Sequence, residues 1–283
     1  MAGRVAVVTD STAYLPPVDA ALLDVRVVPL QVVVDGESYD EGTPEASAVL
    51  LAALRAHVAV TTSRPSPEAF AQTYDLARRD GASAVVSVHL SRAMSGTIEA
   101  AEMAARDAAI PVTVVDSRAV AMALGFAVVD AAELARSGAD VAGVSAAAQS
   151  RAEATTTYFY VDSLDQLRRG GRISPAQAIV GHALAVKPLL RLADGRIEAW
   201  EKVRTTSRAL ARLEDAAVEA AGTAEVDVAV HHLADPARAD ALSDRLRERV
   251  PGLRRLVVSE VGAVVGAHTG IGMLGLAVSP VDA

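Results

Sequence analysis

The sequence predicts an α/β protein of two domains: an N-terminal domain with a mostly parallel sheet and helices on both faces, and a C-terminal α+β domain with a mixed sheet. Three observations predict it. The chain has 283 residues, which at roughly 150 per domain suits two domains. Its first half alternates short β-branched runs with helical ones, as strands joined by crossover helices do. Its second half carries a hairpin signal, Asp194-Gly195, between two apolar runs, which brings antiparallel pairing. The change of character near Arg151–Thr156 sets the expected domains at 1–153 and 154–283.

In chain order, the expected strands of the first half are Val5–Thr9, Val25–Val34, Val58–Thr62, Ala84–Val88 and Val112–Val115. Thr43-Pro44-Glu45 starts a helix with a cap, a proline at its first position and an acid in its first turn; Ser66-Pro67-Glu68 repeats that grammar. Ala119–Arg136 and Val141–Ala152 read as consecutive helices that close the first domain. The second half reads as a strand at Thr156–Val161, a short helix at Ser163–Gly171, strands at Leu184–Leu192 and Arg196–Val203, and a helix at Thr206–Ala221. A strand at Val226–His231, a helix near Pro236–Val250 and strands from Arg254 onward follow. Val261 to Val281 is almost uncharged but holds five glycines, a proline, His268, Thr269 and Ser279, so it reads as two buried strands around a Gly-rich turn rather than a membrane span.

The composition removes several function classes. Net charge is −8, which argues against broad binding to nucleic acid or an anionic membrane, since both want a cationic face. Absence of cysteine excludes disulfides, thiolate metal sites and a cysteine nucleophile. Met1 to Thr9 lacks a charged segment followed by a long apolar one, so no secretory leader is expected and the expected location is cytoplasmic. Lysine occurs only at Lys187 and Lys202, and asparagine not at all.

Gly270-Ile271-Gly272-Met273-Leu274-Gly275 matches the dinucleotide fingerprint in letters, but only eight residues follow, too few for the helix, strand and ribose-binding acid that the motif needs. His231 and His232 would point to opposite sides of a strand, and the histidines show no zinc spacing, so no metal and no cofactor is expected. Hydroxyl-rich segments follow three of the expected strands: Thr9-Asp10-Ser11-Thr12, Thr61-Thr62-Ser63-Arg64-Pro65-Ser66, and Ser91-Arg92-Ala93-Met94-Ser95-Gly96-Thr97. Hydroxyls and free N–H groups at a helix start suit a carboxylate or phosphate. Helix capping and turns use the same residues, and the two readings stay open at this point. In the second half, Arg168-Arg169-Gly170-Gly171-Arg172 places three guanidiniums around glycines that permit close backbone approach. Lys187 lies in an apolar run and needs a partner, and His268 sits among glycines.

Taken together, these segments resemble the DegV family of bacterial fatty-acid-binding proteins. The resemblance rests on Thr9-Asp10-Ser11-Thr12, Thr62-Ser63-Arg64-Pro65-Ser66-Pro67, Leu90-Ser91 with Ser95-Gly96-Thr97, Asp116-Ser117, and Leu164 to Ser174. It continues through Lys187-Pro188-Leu189-Leu190, Lys202-Val203-Arg204-Thr205 and Gly266-Ala267-His268-Thr269-Gly270. It implies two α/β domains with a fatty acid held between them, its chain in an apolar tunnel. Thr62 and Ser95 would hold the carboxylate with Ser63 and Gly96 beside them, and His268 would complete the network. Arg172 and Arg204 would mark the entrance or a docking surface. The implied role is that of a lipid-binding protein without activity of its own: a separate ATP-binding fatty acid kinase subunit phosphorylates the bound carboxylate, and an acyltransferase passes the acyl phosphate to phospholipid synthesis. A transient membrane contact fits such a carrier; nucleic acid does not. Arg64, Ala121, Ala123 and Ile271 stand where the family more often has Gln, Ser, Gly and Pro, which bears on tunnel shape and chain length.

Two enzyme readings compete. Ser95 or Thr62 with His268 and Asp10 could form a hydrolase or acyltransferase of acyl substrates, although Ser95 has no Gly-x-Ser-x-Gly elbow. A stand-alone small-molecule kinase would need a nucleotide site, and no motif for one is visible.

Overall fold

Residues 3–174 and 187–281 are described in a computed structural model. By its internal contacts the chain divides into an N-terminal unit, Met1–Gln31 with Ser63–Ala154, and a C-terminal unit, Val32–Thr62 with Thr155–Ala283. The division at 1–153 and 154–283 expected from sequence differs from this partition at residues 32–62, which go with the C-terminal unit.

The N-terminal unit is built on a parallel sheet of order β2-β1-β6-β7, with β1 at Val5–Asp10, β2 at Arg26–Val28, β6 at Ala84–His89 and β7 at Val112–Asp116. β1 and β6 are buried along their whole length, as the central strands of a sheet covered on both faces must be. On one face α3 (Pro67–Arg79) and α4 (Thr97–Arg106) pack through Phe70, Tyr74, Ala100 and Ala104 onto Ala6, Val8 and Val85. α5 (Met122–Arg136) and α6 (Val141–Ala154) pack on each other and on β1, β6 and β7. α1 (Pro17–Leu22) is a surface turn of helix that the sequence did not predict.

Residues 32–62 correct two expectations. The single strand expected at Val25–Val34 is two strands in different sheets, β2 and β3 (Gln31–Val34). Pro29 lies between them, has no N–H for the ladder, and ends β2. The strand expected at Val58–Thr62 is β5 (Val60–Ser63), which joins not the parallel sheet but a three-stranded sheet of order β4-β3-β5. β4 (Glu37–Asp40) follows β3 through Asp35-Gly36, both at positive φ, the geometry of a two-residue hairpin turn. α2 (Pro44–Arg55) begins as expected, with the Thr43 hydroxyl accepting from Ala46 N–H at 3.2 Å; Ser66 caps α3 in the same way. α5 starts at Met122, not Ala119, because Ala121 stands at φ 58° and ψ −150°, outside helical geometry.

The rest of the C-terminal unit is a six-stranded mixed sheet of order β10-β9-β8-β13-β11-β12. Its strands are β8 (Thr156–Tyr160), β9 (Lys187–Ala193), β10 (Arg196–Val203), β11 (Val226–His232), β12 (Leu253–Glu260) and β13 (Leu274–Pro280). Only β11 and β12 run parallel. Residues 184–186 of the strand expected at Leu184–Leu192 lie outside the described residues. α8 (Thr206–Ala221) and α9 (Pro236–Arg249) pack on this sheet through Ala209, Leu213, Leu242 and Leu246, while α7 (Asp165–Arg169) leaves β8. The two strands expected within Val261–Val281 are instead a helix, α10 (Ala263–Thr269), and β13, joined through Gly270 and Gly272 at positive φ. A short Ala/Val/Gly run is compatible with either state, and its tertiary contacts decide. Among the described residues no helix is long and apolar enough to cross a membrane.

Candidate functional site

His268 is the centre of the C-terminal unit's polar site. It occupies the last turn of α10, a helix held from three directions. Gly262, at the N-cap, contributes no side-chain bond; the buried Glu41 carboxylate accepts from Val264 N–H at 2.7 Å in its place. Mid-helix, Gly266 lets Leu50 of α2 and Leu233 come close, since a Cβ there would stand 2.7 Å from Leu50 Cδ2. Near its end, α7 packs beside it so tightly that a Cβ on Gly170 would stand 2.2 Å from His268 Nδ1. The close approach that Gly170 of the Arg168–Arg172 run permits is therefore made to the imidazole.

His268 Nε2 lies 2.9 Å from Thr62 Oγ1, so the structure pairs two of the residues singled out in sequence. Burial pushes the His268 imidazole down to about 4, and the nearby Arg172 guanidinium acts in the same direction. At neutral pH the ring carries no charge and can exchange donor and acceptor roles with the Thr62 hydroxyl. Arg172 is itself half-buried, which pushes its own pKa down, and it donates to the Gly170 carbonyl. An anion arriving at Thr62 and His268 would meet a hydroxyl, a neutral imidazole and the field of one guanidinium. Arg204 is exposed at the end of β10, next to Thr205, the cap of α8. Lys187 finds the partner its apolar surroundings require in Asp162, at 2.9 Å.

Ser63, Ser95 and Gly96 belong to the N-terminal unit. Ser95 and Gly96 end the turn after β6. Met94 N–H and Ser95 N–H donate to the Ser91 carbonyl at 3.0 and 3.2 Å, and Ser95 Oγ lies 2.9 Å from Thr97 Oγ1 at the start of α4. Gly96 is the N-cap of α4 and accepts on its carbonyl from Arg64 Nη1 at 3.1 Å; a Cβ on Gly96 would stand 2.4 Å from that nitrogen. Ser63 Oγ donates to the Arg64 carbonyl at 3.1 Å. A helix start with two hydroxyls and no side-chain cap suits an oxyanion.

The hydrolase reading needs Asp10 available to a histidine of the site, and the structure commits it elsewhere. Asp10 is fully buried, and its two oxygens are taken by His89, Leu90 and Thr12 within its own unit. Asp10, His89 and Ser87 do stand in the order of a hydrolytic triad, at 3.0 and 2.7 Å, but all three have no exposure and Ser87 is further bonded to Tyr74, so no substrate carbonyl reaches the serine. His231 and His232 bind Ser259 and the Asp235 N–H separately, and among the described residues no His/Cys/Asp/Glu group is arranged to hold a metal. Sequence reasoning missed Glu41, which acts across 223 residues of chain, and His89, which lies one residue past the strand expected at Ala84–Val88.

The class these observations define is a two-unit α/β protein, with a parallel sheet in one unit, a mixed sheet in the other, and hydroxyl-rich turns in both. A family model described as "Uncharacterised protein, DegV family" matches residues 4–281, and the chain belongs to that family. It is 57% identical to a DegV domain-containing protein of Streptomyces coelicolor, over 99% of each chain. A DegV domain-containing protein of Mycobacterium tuberculosis is 38% identical, over 97% of this chain and 96% of its own. Among solved structures, the fatty-acid-binding DegV family protein of Thermus thermophilus superposes with a TM-score of 0.91 at 35% identity, covering 98% of this chain and 100% of its own. DegV of Bacillus subtilis, a fatty acid binding protein, gives 0.89 at 32% identity, covering 98% and 99%.

Proposed function

We propose that this protein binds a long-chain fatty acid, with its carboxylate on Thr62, Ser63, Ser95, Gly96 and His268, and presents it to a separate ATP-binding kinase subunit. The observation that carries this reading is the Thr62–His268 pair: a hydroxyl and an uncharged imidazole at 2.9 Å, on a helix whose placement recruits Glu41, Leu50 and Gly170. Fatty acid binding by family members from Thermus thermophilus and Bacillus subtilis supports it.

The physics suits a bound acid that must still react. A carboxylate leaving water needs several hydrogen bonds, and hydroxyls with a helix-start N–H supply them. A bidentate guanidinium would lower the nucleophilicity of the oxygens and crowd the γ-phosphate; hydroxyls orient an oxygen and leave it usable. One carboxylate oxygen would attack the γ-phosphorus of ATP, the bond from that phosphorus to the β,γ-bridging oxygen would break, and ADP would leave with the electron pair. The product, an acyl phosphate, would be consumed by an acyltransferase in phospholipid synthesis. Burial of the chain contributes about 0.8 kcal/mol per CH₂, so an acid of about 16 carbons gains on the order of 10 kcal/mol before ordering costs, and stays bound through purification. Arg172 and Arg204 would serve the entrance or the docking of the kinase subunit, and a cytoplasmic location suits that partnership.

Trapping with hydroxylamine tests the reaction. Lipid-loaded protein with ATP and a kinase subunit should yield acyl hydroxamate, and either component alone should yield none. Hydroxamate from this protein and ATP alone would make it an independent kinase; turnover of acyl esters, lost in Ser95→Ala, would restore the hydrolase reading.

A further inference from the structure

The turn that carries Ser95 is tied to a buried carboxylate on another strand. Asp10, the last residue of β1, has no exposure. Its Oδ1 accepts from Thr12 N–H at 3.0 Å and Thr12 Oγ1 at 2.6 Å; its Oδ2 accepts from Leu90 N–H at 3.0 Å and lies 3.0 Å from His89 Nδ1. Leu90 opens the segment whose next residue, Ser91, receives Met94 and Ser95 on its carbonyl. The loop after β7 joins the same knot: Ser91 N–H donates to Ala119 O at 2.9 Å, Ala121 N–H to Thr12 O at 2.9 Å, and Ser117 Oγ to His89 O at 2.7 Å. The segments after β1 and β6 thus meet at one carboxylate, and the loop after β7 is bonded to both of them.

A line of hydrogen bonds leads away from it under α3. His89 Nε2 lies 2.7 Å from Ser87 Oγ, which lies 3.0 Å from Tyr74 OH, and the His89 ring meets Phe70 edge-on at 5.0 Å. One set of donors satisfies the whole line: Tyr74 O–H to Ser87, Ser87 O–H to His89 Nε2, and His89 Nδ1–H to Asp10. On this face of β1 and β6 the preceding residues Ala6, Val8 and Val85 are apolar, so polar groups enter only where the strands reach the hydroxyl turns. Buried charge and polar groups are weak sources of stability, and their attested use is to fix one conformation.

We infer that Asp10 is a positioning residue for the ligand carboxylate: through Leu90 N–H it sets the Ser91–Thr97 turn, and His89 holds its carboxylate in the orientation that does so. This rests on the fatty acid reading above. The test is NMR of carboxyl-¹³C palmitate bound to the whole protein, with dissociation constants from titration and thermal midpoints alongside. Asp10→Asn should move the bound carboxyl resonance and weaken binding about tenfold. Ser87→Ala, which cuts the line beyond His89, should lower the thermal midpoint yet leave that resonance in place. Should Asp10→Asn not fold, His89→Gln removes the Nδ1–H donor and should move the resonance too. A wild-type resonance and affinity in the folded Asp10→Asn protein, or in His89→Gln in its stead, would overturn the inference. Failure of the wild-type protein to bind palmitate would overturn the fatty acid reading and the inference with it.

Discussion

The N-terminal unit holds its hydroxyls by short bonds among neighbouring loops, whereas the C-terminal unit holds His268 by contacts gathered from far along the chain. Ser95 follows β6 directly, and the bonds that fix its turn come from the ends of β1 and β7 in the same parallel sheet. A parallel sheet supplies this arrangement by construction, because every strand ends on the same side. His268 sits on a seven-residue helix, too short to be stable alone, whose cap and packing come from Glu41, Leu50 and Gly170. Both units use a buried carboxylate, Asp10 or Glu41, to accept a backbone N–H. The lesson is that one site follows from the topology of its sheet, while the other has to be assembled around a helix with little stability of its own.

If the C-terminal unit carries the more conditional site, acid should expose it first. His231 is buried and His268 partly so, and desolvation pushes each down to about 4 from an ordinary 6.5. Between these values the unfolded chain takes up protons that the folded chain does not, so stability falls as pH falls through that window, by up to about 1.4 kcal/mol per pH unit for each histidine. Urea unfolding at steps from pH 7 to pH 4.5 should show this, and His268→Gln should have the shallower slope; equal slopes would mean that the ring titrates freely in the fold.

Removing the remote cap comes next. Glu41→Ala leaves Val264 N–H without its buried acceptor and should cost about 2 kcal/mol by chemical denaturation, with weaker fatty acid binding. Loss of stability without any loss of affinity would separate α10 from the site. Gly170→Ala should weaken binding without the loss of stability. Its Cβ would displace the imidazole, so displacement of a fluorescent fatty acid should show affinity down at least about tenfold, close to 1.4 kcal/mol, with a near-native melting curve. The smallest expected effect lies in the N-terminal unit. Ala121, at φ 58° and ψ −150°, holds a conformation natural only to glycine, so Ala121→Gly should raise stability by about 1 kcal/mol and leave affinity unchanged.

The same contrast explains what was legible in the sequence. Local grammar is readable: the Thr43 and Ser66 caps, the Asp194-Gly195 turn, and the buried strands β1 and β6 all stand where the residue pattern predicts them. Thr62 and His268 could be named, and the structure joins them at 2.9 Å. The course of residues 32–62 could not be read as a whole, although Pro29 and Asp35-Gly36 were punctuation in plain view. α10 reads as a strand from sequence because Ala, Val and Gly in a short run carry no period, and its cap lies 223 residues away. Asp10 was visible as a polar residue at a strand end, but its partner His89 shows only when β1 and β6 are placed side by side.

Native mass spectrometry of the purified protein, with fatty acids of several chain lengths added in turn, tests the central claim most directly. The account predicts a single adduct at one acid per chain, lost or strongly reduced in Thr62→Val. An unliganded mass with every acid offered would contradict it, and the hydroxyl sites at Ser95 and Thr62 would then have to belong to a different anion.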